Sequence, residues 1–179
     1  MKRYISQFFR LSRWLLLAIC VSLIGISLVS ADVKAAAPNR VTYYGPVESS
    51  ILSAVAVPDN RAYFWTSGTV PPVLNPNGRT SRERYGDTKT QGIGAIRQIE
   101  TVLKEAGLSL ADVIYLRVYL VADPFKDNTV DFQGWFDAYA QFFNTETVPK
   151  VARSTVAVAG LVIPDWLIEI EAVAVYPKK

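Results

Sequence analysis

The sequence predicts an α+β domain, a mixed β-sheet carrying two helices on one face. Three observations carry this reading. Segments of period two and segments of helical period follow one another in the order ββαβαββ. Each helical segment lies between strand segments, the arrangement of a crossover connection. The two longest strand segments have unlike faces, as a sheet covered by helices on one side requires.

In chain order, Ala54-Val55-Ala56-Val57, the turn Pro58-Asp59-Asn60 and Ala62-Tyr63-Phe64-Trp65-Thr66 read as a hairpin ended by Gly68. Residues 70–87 hold Pro71, Pro72, Pro76, Asn77, Gly78 and the charged Arg82-Glu83-Arg84 group with no apolar period, so they read as a long surface loop. Residues 90–106 place Ile93, Ile96, Ile99, Val102, Leu103 and Ala106 on one helical face, and Gly107 supplies the stop. Residues 112–121 alternate, with Ile114, Leu116, Val118 and Leu120 on one face and Val113, Tyr115, Arg117, Tyr119 and Val121 on the other. After the turn at Asp123-Pro124, residues 130–143 carry the aromatic stripe Phe132, Trp135, Phe136, Tyr139, Phe142 and Phe143, read as a helix packed on a sheet. Residues 152–159 and 166–175 form two more strands, read as a second hairpin. In the last strand Ile168, Ile170, Ala172 and Ala174 point to the helices, and Leu167, Glu169, Glu171, Val173 and Val175 point away. That second face is half apolar and needs a cover of its own. The simplest cover is another copy of the chain, which predicts a homo-oligomer with its sheets facing inward and its sites at subunit junctions.

The chain has 179 residues, 50% of them hydrophobic, with 19 Lys and Arg against 16 Asp and Glu. The first 31 residues contain Lys2, Arg3, Arg10 and Arg13 and no acid, leaving 15 bases against 16 acids for the rest. Residues 15–30 are an apolar run, and Val29-Ser30-Ala31 puts small residues before Asp32, so residues 1–31 read as a cleaved secretory signal peptide. An uncleaved membrane anchor is the alternative. Ile19 before Cys20 argues against lipidation. A tether and N-terminal extension follows over residues 32–50, opening with Ala35-Ala36-Ala37-Pro38, and the folded domain occupies residues 51–179. The expected location is periplasmic or secreted, free of the membrane once the signal is removed. The body's net charge of about −1 removes the electrostatic argument for a nucleic-acid partner. The body has neither Cys nor His, which excludes disulfides, Cys- or His-rich metal sites, Cys nucleophiles and histidine acid/base chemistry. No metal and no cofactor is expected.

Glu169 and Glu171 lie two apart on one strand, so both carboxylates project from one face beside valines. A carboxylate there needs a partner, and Arg153, Arg117 and Arg61 lie in or beside strands. Arg153 opens a strand directly after Pro149-Lys150-Val151. Two readings of it stand side by side: an ion pair with Glu169 across adjacent strands, or a guanidinium that grips the carboxylate of a small molecule while Glu169 positions or deprotonates a water.

The segments "WTSGTV", "IRQIETVLKEAGLSLADVIYLRVYLVAD", "YAQFF", "ARSTVAV" and "LIEIEAVAV", in this order, resemble the RidA family, also called YjgF or L-PSP, of enamine/imine deaminases. The likeness runs from about Ser53 to Tyr176. It implies a chorismate-mutase-like fold, a homotrimer with interfacial sites, and hydrolysis of 2-imino acids or their enamine tautomers to 2-oxo acids and ammonia without cofactor. It implies that Arg153 grips the substrate carboxylate and that Glu169 orients the water. Ser67 and Gly68 match the "SG" lining the pocket. Thr155 stands where many members carry a cysteine whose backbone carbonyl contacts the water.

Several positions depart from the family pattern. Leu52 precedes Ser53 where a tyrosine is usual, Phe136 stands three residues before Tyr139 where an asparagine is usual, Thr69 replaces the glutamine after "SG", and the 70–87 loop is longer. These changes imply a larger, more apolar or differently shaped pocket around Leu52 and Phe136. The competing reading is a non-catalytic protein that uses the same clefts for a small carboxylate or aromatic ligand. A ribonuclease, an activity for which the family has also been labelled, is opposed by the body's charge and its lack of His.

Overall fold

The computed structural model describes residues 36–178. The leader, its cleavage point, Cys20 and the first residues of the tether lie outside the described residues, as does Lys179. The central sheet runs β3–β8–β4–β7, with β3 Tyr63–Trp65, β4 Val113–Leu120, β7 Ala152–Ala157 and β8 Ile168–Val175, while β5 Ala122–Asp123 and β6 Thr129–Val130 pair in a small ribbon of their own. β8 pairs antiparallel with β3 and β4, and β7 pairs parallel with β4. The two crossovers are helical, Thr88–Glu105 between β3 and β4 and Phe132–Tyr139 between β4 and β7. This is the α+β class expected, and it corrects both expected hairpins. β4 stands between the last two strands, and β3 pairs with β8 rather than with the strand before it.

That earlier strand, β2 (Ala54–Ala56), pairs with β1 (Thr42–Tyr44), which lies in the N-terminal extension. Parallel strands need a crossover and cannot be joined by a tight turn, so β4 leads to β7 through a helix, and β7 makes no hairpin with β8 because β4 lies between them. The β1–β2 ribbon lays Val41, Val55 and Val57 over Ile114, Tyr115, Val173 and Val175, a small second core on the far face of the sheet. Part of the face expected to await another copy is therefore covered by the chain itself. The part carrying Tyr63, Trp65 and Val156 stays exposed, Trp65 at 67%.

We number the helices α1 (Ser81–Tyr85), α2 (Thr88–Glu105) and α3 (Phe132–Tyr139). α2 starts at Asp87, whose carboxylate accepts from the Thr90 amide at 2.8 Å. It buries Ile96, Ile99 and Leu103 against the sheet and stops at Gly107, at φ +74°. Gly92 lets α2 and α3 approach closely: a Cβ there would stand 3.1 Å from that of Ala138. α3 is shorter than the aromatic stripe suggests. The amides of Phe142 and Phe143 both turn back to the Tyr139 carbonyl, and Asn144 takes a left-handed φ of 59° that ends the helical path. Phe143 is nevertheless fully buried in the main core.

The 70–87 segment is not a bare loop. It contains α1, capped by Thr80, and is fastened to the body by side chains. Arg84 Nε donates to Asp165 at 3.0 Å, the Gln98 amide donates to the Val70 carbonyl at 2.8 Å, and Arg82 Nη1 donates to Asp123 Oδ2 at 3.3 Å. Asp123 is fully buried, its other oxygen accepting from the Phe125 amide. Arg82→Ala leaves that buried carboxylate without its cation. We expect a loss of about 1–3 kcal/mol, at the lower end because Arg82 is about a third exposed. A lowered urea midpoint at unchanged slope checks it, and Arg82→Ala with Asp123→Asn should recover part of the loss.

Candidate active site

Strand register places the two principal residues on opposite faces of the sheet. Leu116 pairs with Arg153 on one side and Ala172 on the other, so these three share a row. Leu116 and Ala172 belong to the main core, which puts Arg153 on the helix face. Tyr119 pairs with Val156 and Glu169, and since that row is three residues from the first, Glu169 lies on the far face. The ion pair weighed from the sequence does not form. β7 and β8 are separated by β4, Arg117 pairs with Glu171 at 2.9 Å, and Arg61 donates to the Tyr176 carbonyl. Tyr119 also donates to Glu171, at 3.3 Å. Among the described residues Glu169 has no ion-pair partner.

On the helix face, Arg153 rises into an aromatic cage. Its guanidinium carbon lies 5.4, 4.9 and 4.5 Å from the ring centroids of Trp135, Phe136 and Tyr139. The cage is itself held. Tyr139 stacks on Phe143 at 5.1 Å and its hydroxyl accepts from the Val151 amide at 3.2 Å, while Trp135 Nε1 donates to Thr155 Oγ1 at 3.3 Å. Burial raises the Tyr139 phenol's pKa, against the Val151 amide bond and the Arg153 charge. Burial lowers that of Arg153, against an opposing contribution from Tyr139. Nη1 of Arg153 is buried and finds no acceptor among the described residues. A cation held by rings alone, with an amine hydrogen unspent, is equipped to bind an anion. Leu52, buried, forms a parallel bridge to Ala152 and donates its amide to the Val151 carbonyl at 3.0 Å, which sets the strand leading into Arg153.

On the far face, the Glu169 side chain lies directly over Gly68. A Cβ at residue 68 would overlap Oε1 and stand 2.6 Å from Cδ. Thr69 and Ile170 exchange backbone hydrogen bonds at 2.8 and 2.9 Å, which pins the Ser67-Gly68-Thr69 segment beside β8. Ser67 and Gly68 are exposed. The structure thus brings Phe136 to Arg153, with Thr155 on the same face of β7, and sets Gly68 beneath Glu169 next to Ser67, while Leu52 shares the row of Ala152 and joins this strand through its backbone alone. The roles of Trp135 and Tyr139 beside Arg153 were not read from the sequence. The signal was available in the alternation of β7, which puts Arg153 and Thr155 on one side, but only the register with β4 says that this side meets the aromatic stripe.

A mixed sheet with its two long helices on one face, an arginine set among those helices and a glutamate on the bare side define a chorismate-mutase-like α+β protein. The chain belongs to the L-PSP family, that of RidA and YjgF, for the family model described as Endoribonuclease L-PSP matches residues 51–176. A RutC family protein of Pyrococcus horikoshii is 37% identical over 112 residues, 63% of this chain and 78% of that protein. TdcF of Escherichia coli K12, named for reactive intermediate deamination, is 32% identical over 117 residues, 65% of this chain and 81% of its own. Among solved structures, the YjgF gene product of Escherichia coli aligns at TM-score 0.50 and 31% identity over 64% of this chain and 81% of its own. Escherichia coli TdcF with bound serine aligns at TM-score 0.51 and 26% identity over 78% of this chain and all of its own.

Proposed function

We propose that the protein is an exported, cofactor-independent deaminase that hydrolyses 2-imino acids and their enamine tautomers to 2-oxo acids and ammonia, at sites completed between copies of a homotrimer. The observation that carries this reading is the Arg153 guanidinium, caged by rings and short of an acceptor. It binds the substrate carboxylate and fixes the imine carbon beside it. Glu169 of a neighbouring copy accepts a proton from a water whose oxygen adds to that carbon, and the nitrogen is protonated. The resulting amino alcohol collapses to the 2-oxo acid and ammonia, so one water is consumed and nothing is oxidised or reduced. The name of TdcF and its serine complex support a small, carboxylate-bearing substrate.

The test is ammonia release by purified residues 32–179 from short-lived 2-imino acids generated in the cuvette by an amino-acid oxidase. Acceleration above the uncatalysed rate supports the reading. Absence of acceleration across aliphatic and aromatic imines overturns it in favour of a ligand-binding role for the same clefts. A narrower test uses Gly68→Ala, whose methyl must push the Glu169 carboxylate aside. Because the far end of a flexible side chain can move, the fold should survive with little change in melting temperature. Activity should fall by about a hundredfold, the effect of displacing a reacting group by about 1 Å.

A further inference from the structure

We infer that Phe132 and Phe136 form the side-chain subsite of the Arg153 site and select substrates bearing an aromatic group next to the carboxylate end. This rests on the reading of Arg153 as the carboxylate anchor. α3 has three faces. Trp135, Ala138 and Tyr139 are buried in the core. Gln133 and Asp137 are tied to each other at 2.7 Å, and Asp137 pairs with Lys89, as befits a solvent face. The third face belongs in neither class: Phe132 and Phe136, one turn apart, are apolar and each 39% exposed.

Their rings lie 6.4 Å apart and tilted at 36°, and the inner one, Phe136, is also 4.9 Å from the Arg153 guanidinium. A single strip therefore runs from cation to inner ring to outer ring. A carboxylate on Arg153 places a nearby aryl group against this strip, where tilted ring pairs are favourable and the apolar surface of both partners leaves water. An aliphatic group of one carbon cannot reach it. Phe136 thus acts on selectivity through the group that carries no chemistry, while Arg153 holds the end that reacts.

The experiment is calorimetric titration of the purified protein with propionate and with 3-phenylpropionate, alongside ammonia release from the imines of alanine and phenylalanine. The wild type should bind 3-phenylpropionate about tenfold or more tightly than propionate, and kcat/KM should show the same order. Phe136→Asn, which also takes one ring from the Arg153 cage, should bring the ratio of the two affinities to within about twofold at unchanged assembled mass, even where both affinities fall. Phe132→Ala, at the outer end, should give a smaller loss in the same direction. Equal binding of the two acids, no binding of either, or a ratio that survives Phe136→Asn overturns the inference. So does a fall in assembled mass in that variant, which would make the rings part of a subunit contact. A binding preference without ammonia release would instead sink the deaminase reading and leave the subsite standing.

Discussion

Glu169→Gln is expected to slow ammonia release by about two to three orders of magnitude while leaving carboxylate binding within about twofold, the signature of a lost general base with its site intact. The amide has nearly the same shape as the carboxylate and can rest over Gly68 in the same way, but it cannot take a proton from water. Arg153→Ala should behave differently. It removes the anchor, so both kcat/KM and the affinity for inert carboxylates fall, by about a hundredfold for the loss of paired charge-assisted hydrogen bonds. It also takes the cation out of the cage of Trp135, Phe136 and Tyr139, and some stability goes with it. Arg153→Lys separates these effects, because an ammonium keeps the charge among the rings but lacks the planar fork. Stability recovered without activity would assign the geometry of the guanidinium to binding. Turnover that survives Glu169→Gln would remove Glu169 from the chemistry.

Periodicity made the local elements legible and left their pairing open. α2 follows its pattern through Ile96, Ile99 and Leu103, although Val102 is exposed, and β4 follows its own from Leu116 to Leu120. At the start of β4 a register shift between Val113 and Tyr115 reverses the expected faces, sending Val113 into the main core and Ile114 into the second. α3 ends before its stripe does, because turns can bury aromatics as well as helices can. Neighbouring strands in the sequence suggested two hairpins, yet β1 was hidden in a stretch read as an extension and β4 inserted between the last two strands. The site suffered most from this. Arg153 and Glu169 could be picked out as residues, but the face each occupies depends on the parallel register of Leu116 with Arg153 and the antiparallel register of Tyr119 with Glu169. No local pattern encodes either.

That register leads to the second expected result, restoration of activity by mixing two inactive variants. One protomer presents Arg153 and Glu169 on opposite faces of one sheet, so they cannot close on a single small substrate. If each site pairs the arginine of one copy with the glutamate of the next, an Arg153→Ala chain still offers a good Glu169 and a Glu169→Gln chain still offers a good Arg153. Unfolding and refolding the two together in equal amounts should produce trimers in which about a quarter of the junctions hold both intact residues, with activity near a quarter of the wild type. The separate variants, refolded alone and then combined without exchange, should stay inactive. The exposed Trp65 and Val156 lie on the same far face as Glu169, where a neighbouring copy would have to sit. If mixed assemblies form and activity does not return, both residues serve the same protomer, and the sheet must open enough to bring them together. If the variants never assemble and the wild type has the mass of a single chain, the interfacial site falls altogether, and Arg153 is left as an anion-binding cation within one subunit.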